Sequence, residues 1–142
     1  MIQTIFILGN SVVAKDRLPV VLLPKLKNRF PAITFIHIDP TEEFITQKNE
    51  TLYIIDSVDG IEKVTLFSSI SDFATSPRFS VHDYDLLLDL QLRKKLMKIQ
   101  DFVIIGVPQK GRRKKIEEAI VHAVSTLLSK NGKHNSYTDR TT

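Results

Sequence analysis

The sequence predicts a three-layer α/β sandwich, with a mainly parallel sheet of about five strands flanked by helices. Three observations carry this expectation. Short apolar runs, each strand-sized, recur at 2–8, 32–38, 51–58 and 102–107. Stretches with helical spacing separate most of them, as βαβ units require. The run Leu52-Tyr53-Ile54-Ile55 shows no apolar–polar alternation, which fits a parallel strand covered on both faces. A chain of 142 residues suits one domain and is long enough to bury a real core.

The elements follow in order. Ile2 to Leu8 reads as a buried strand, and Gly9-Asn10-Ser11 as a turn. A helix begins near Asp16, with Leu18, Val21, Leu22 and Leu26 as its apolar stripe. Pro19 suits a first turn; Pro24 predicts a kink or a short first segment, because it cannot donate inside a helix. Phe30-Pro31 ends the unit. Ala32 to Ile38 is the second strand, closed by Asp39-Pro40-Thr41, and Thr51 to Val58 the third. Asp59-Gly60 turns the chain toward a short edge strand at Val64 to Phe67. Ser71 to Val81 reads mostly as loop. Asp85 to Ile99 reads as a helix with Leu86, Leu90 and Met97 facing inward. Phe102 to Val107 is the last core strand, ended by Pro108, and Lys114 to Leu128 the last helix. The single domain therefore spans 1–130, and 131–142 is a polar tail expected to be flexible.

Composition excludes several chemistries. The chain has no cysteine, so disulfides and thiolate metal sites are out, and any metal must use nitrogen and oxygen ligands. The apolar start lacks a basic region ahead of it and reads as a strand, not a signal peptide. No apolar run reaches the ~18 residues of a membrane span, so no membrane insertion is expected and the cytoplasm is the default location. The net charge of +4 gathers largely in Arg93-Lys94-Lys95, Lys98 and Lys110-Gly111-Arg112-Arg113-Lys114-Lys115. Such runs attract acidic partners. No aromatic platform is interleaved with them, so nucleic acid is not the expected partner.

In open α/β sheets, ligands gather beyond the carboxyl ends of strands, where the chain order reverses. That directs attention to Gly9-Asn10, Asp39, Asp56 and Gly106-Val107-Pro108. Asp56 ends a core strand, and its carboxylate serves either a crevice or a local turn. Asp16, at a helix start, stays ionised by the dipole; that suits a metal ligand, though a lone Asp there is more often a cap. His82 precedes a helix, where a neutral imidazole can bind a borderline metal or simply sit at the surface. His37 is flanked by Ile36 and Ile38 and reads as structural; His122 falls in the last helix and His134 in the tail. Gly9-Asn10-Ser11 continues into neither a dinucleotide fingerprint nor a Walker loop. Neither HExxH nor GxSxG occurs. Asp16, Asp56 and His82 together offer two oxygens and one nitrogen, an incomplete sphere that water or a bound partner must fill.

Several segments resemble the hydrogenase maturation peptidases. Ile5-Phe6-Ile7-Leu8-Gly9-Asn10-Ser11, followed by Asp16, is similar to their opening. Leu52-Tyr53-Ile54-Ile55-Asp56-Ser57-Val58-Asp59-Gly60 resembles their second acidic motif, and Ser80-Val81-His82-Asp83 their histidine segment. Phe102 to Pro108 resembles the strand before their last helix. Asp16-Arg17-Leu18-Pro19 and Ser76-Pro77-Arg78 look like an archaeal-type branch. The family commonly carries Gly-Asp-Asp-Gly near its first acidic ligand; here Ala14-Lys15-Asp16-Arg17 makes that loop stiffer and more basic. The middle Asp-Gly-Gly-Thr type segment appears as Asp39-Pro40-Thr41.

The resemblance implies an α/β endopeptidase that removes the C-terminal extension of a nickel-iron hydrogenase large-subunit precursor. By position, Asp16, Asp56 and His82 would be both catalytic and nickel-binding. The nickel arrives with the precursor, whose own thiolates complete its coordination; no organic cofactor is implied. The expected state is a cytoplasmic monomer. Two rivals stand beside this reading: a metal-dependent hydrolase that holds its own ion, and a non-catalytic α/β binding module.

Overall fold

A computed structural model describes residues 2–9, 17–38, 50–69 and 81–139, with the backbone alone for 81–84 and 131–139. Its strands are β1 (Thr4–Leu8), β2 (Thr34–Ile38), β3 (Thr51–Val58), β4 (Thr65–Phe67) and β5 (Asp101–Pro108). Its helices are α1 (Arg17–Val21), α2 (Leu23–Arg29), α3 (Val81–Lys95) and α4 (Arg113–Asp139). The strands form one five-stranded sheet in the order β2-β1-β3-β5-β4. All pairings are parallel except that of the edge strand β4, which runs antiparallel to β5. This is the expected mainly parallel α/β sandwich.

The helices cover both faces. Odd-numbered residues of β1 and β3, such as Ile5, Ile7, Tyr53 and Ile55, share a core with Leu22 and Leu26 and with Ile116, Ile120 and Val124 of α4. Even-numbered Phe6, Leu8, Leu52 and Ile54 pack with Leu87 and Leu90 of α3. The strand period of two thus divides the runs of β1 and β3 between two cores, which is why neither run alternates apolar with polar residues.

Pro24 acts as the sequence predicts. Having no N–H, it cannot donate to the carbonyl four residues earlier, and the helix breaks at Leu22 into α1 and α2. Pro24 falls in the first turn of α2, where the missing donor costs little. The Phe30 N–H closes the helix on the Leu26 carbonyl at 2.9 Å, and Pro31 keeps Phe30 out of helical geometry. Thr34 then donates to the Gln3 carbonyl at 2.8 Å, which sets β2 alongside β1.

Two expectations need correction. Met97 does not face inward: α3 starts at Val81, earlier than the sequence indicates, and ends at Lys95. Leu87 and Leu90 fill the core, while Met97 is 78% exposed. Lys98 N–H bonds the Arg93 carbonyl at 2.9 Å and Met97 N–H the Lys94 carbonyl at 3.1 Å. With Met97 at φ 60°, this is a Schellman stop in which Met97 occupies the left-handed position glycine usually takes. The last helix runs past Leu128 to Asp139. Asn131-Gly132 lowers helix propensity there, but no proline interrupts the ladder.

Gly106 shows how tightly the edge is packed. It pairs with Asp56 of β3 on one side and Thr65 of β4 on the other. A Cβ at this position would stand 2.6 Å from Phe67 Cε2, 3.1 Å from Val58 Cγ2 and 3.2 Å from Ile61 Cδ1. Gly106→Ala is therefore expected to cost about 1–3 kcal/mol by overpacking. A lowered urea midpoint checks it, and adding Phe67→Leu should recover part of the loss, since the two sites are coupled.

Candidate functional site

The sheet order reverses between β1 and β3. From β1 the chain crosses by α1 and α2 to β2 on one side; from β3 it passes through the edge strand β4 and then α3 to β5 on the other. The two crossovers use opposite faces of the sheet. A crevice is expected at the carboxyl ends of the two diverging strands. Its described walls are Gly9 after β1 and Asp56-Ser57-Val58 at the end of β3.

Asp56 is 4% exposed, and its Oδ2 is sealed from solvent. It shares strand parity with Leu52, Ile54 and Val58, all of which join the core beneath α3. The carboxylate therefore points to the α3 side of the sheet. A buried carboxylate is costly in an apolar setting unless something compensates it. Ser57 takes the opposite face and is equally buried; its hydroxyl finds no hydrogen-bond partner among the described residues. The sequence marks the Asp56-Ser57 pair but not that the two side chains serve different faces. The period of two makes that readable in hindsight.

His82 lies in the first turn of α3. The far end of this helix is tied to the start of β5, where Lys94 Nζ meets Asp101 Oδ1 at 3.1 Å. About 12 residues of helix separate Lys94 from His82, roughly 18 Å of rise. The helix packs on the face of the sheet that Asp56 occupies. Its side chain lies outside the described residues. So do Asp16, Asp39 and the segment 70–80. Among the described residues no three acidic or histidine side chains gather closely enough to hold a metal ion.

His37 has a definite task. Its Nε2 lies 2.8 Å from the Gly9 carbonyl oxygen. A carbonyl only accepts, so the imidazole carries its proton on Nε2 and donates. The bond pins the end of β1 to β2, one step before the crevice. Gly9 itself has φ 154°, a region open essentially to glycine. The structural reading of His37 holds, with Gly9 as its partner.

The remaining features lie apart from Asp56. His122 lines a groove between α2 and α4 with Lys25, Arg29 and Glu117, on the opposite face of the sheet. Lys25 and Glu117 bridge its walls at 3.2 Å, an exposed pair worth little. Lys110, Arg112, Arg113, Lys114 and Lys115 are all exposed and follow the carboxyl end of β5 into the first turn of α4. Cations at a helix N-terminus oppose its dipole, so this cluster adds to a positive field at the edge where Asp56 sits. No described helix is long and apolar enough to cross a membrane.

No family model matches the chain, and no curated protein does. Among solved structures it is similar to an uncharacterized protein from Wolinella succinogenes, with a TM-score of 0.53 at 9% identity. The match covers 94% of this chain and 99% of that one. At such identity the likeness establishes a shared fold and nothing about activity.

Proposed function

We propose that this chain is a cytoplasmic endopeptidase of the hydrogenase-maturation type, which removes the C-terminal extension from a nickel-loaded hydrogenase large-subunit precursor. One observation supports this above the rest. Asp56, a carboxylate at 4% exposure, stands at the carboxyl end of β3 beside the reversal of strand order, where α/β sheets collect ligands. The resemblance of the segments around Asp16, Asp56 and His82 to the peptidase motifs supplies the reaction.

In this reading the metal is part of the substrate. Asp56 gives one anionic oxygen, Asp16 a second and His82 a nitrogen. With no cysteine in the chain, thiolates of the precursor fill the rest of the sphere, so nickel reports that the precursor is mature. By ligand type, such a set binds free nickel weakly and exchanges it readily. The exposed cations of 110–115 draw an acidic precursor surface to the same edge, a salt-dependent rate effect.

The test mixes purified protein with nickel-loaded and with nickel-free precursor and follows the size of the large subunit. Cleavage of the loaded form alone is the expected result. Equal cleavage of both forms contradicts nickel gating. Cleavage driven by zinc on the protein itself transfers the case to a hydrolase with a resident ion.

A further inference from the structure

No further inference is drawn: the strongest candidate, the exposed apolar row of Leu88, Leu92 and Leu96 on the outer face of α3 that Met97 prolongs past the helix end, carries none, because nothing in the structure shows what covers it.

Discussion

Phe102→Ala is expected to remove about 3–5 kcal/mol of folding free energy. Phe102 is among the largest fully buried side chains and joins the core beneath α3. It enters β5 opposite Leu52 of β3, in the longest-registered pairing of the sheet. Truncation loses the transfer energy of the ring and leaves a cavity that eight residues of paired strand cannot close by moving. Against a typical total of about 5–15 kcal/mol, the variant should be partly unfolded near physiological temperature. Urea unfolding followed by circular dichroism measures it: the midpoint should fall steeply with the slope unchanged. Phe102→Leu leaves a smaller void and should lie between wild type and alanine. A midpoint unmoved by Phe102→Ala would mean that this core is not packed as described.

The centre of the sheet was legible because β1, β3 and β5 are buried on both faces. Runs such as Thr51–Val58 announce themselves, and that strand begins and ends where the sequence places it. Pro24 was legible for the same kind of reason: a missing N–H has one local consequence wherever it falls. The failures concern choices that local pattern does not make. Leu86, Leu87, Leu88, Leu90, Leu92 and Leu96 satisfy more than one helical stripe. Only the packed sheet decides that Leu87 and Leu90 go in and Leu92 stays out. Met97 extends the sequence stripe, but the last regular helix bond is that of the Leu96 N–H to the Leu92 carbonyl, and the Met97 N–H turns back to the Lys94 carbonyl in the helix stop. A non-glycine residue in a left-handed stop carries no sequence signal, since glycine is what marks such stops. At the site, Asp56 was visible as the polar end of an apolar strand. That it shares a sheet face with the helix carrying His82 follows from the crossover, which a motif does not contain.

Asp56→Asn is expected to reduce precursor cleavage by about a hundredfold or more. Loss of an outer-shell partner of a metal typically costs 10–100-fold in affinity or activity, and a direct anionic ligand should count for at least as much. The substitution keeps the volume and planar shape of the side chain, so the packing around β3 should survive. It also removes a charge from a position of 4% exposure. Burying a carboxylate is unfavourable unless compensated, so the melting temperature should stay within a few degrees of wild type. The two readouts together distinguish the roles. A carboxylate kept for a local turn would show its loss in stability and leave cleavage per folded molecule unchanged. A carboxylate kept for the substrate's nickel would show the reverse, with cleavage lost and the fold intact. Neighbouring Ser57, on the other face of the same strand, supplies the control. Ser57→Ala removes a buried hydroxyl that has no described partner, so it should be neutral or slightly stabilising. It should also leave cleavage near wild type, because its side chain opens away from the face of α3. Full cleavage by Asp56→Asn would remove Asp56 from the proposed site, and with it the observation on which the peptidase reading chiefly rests.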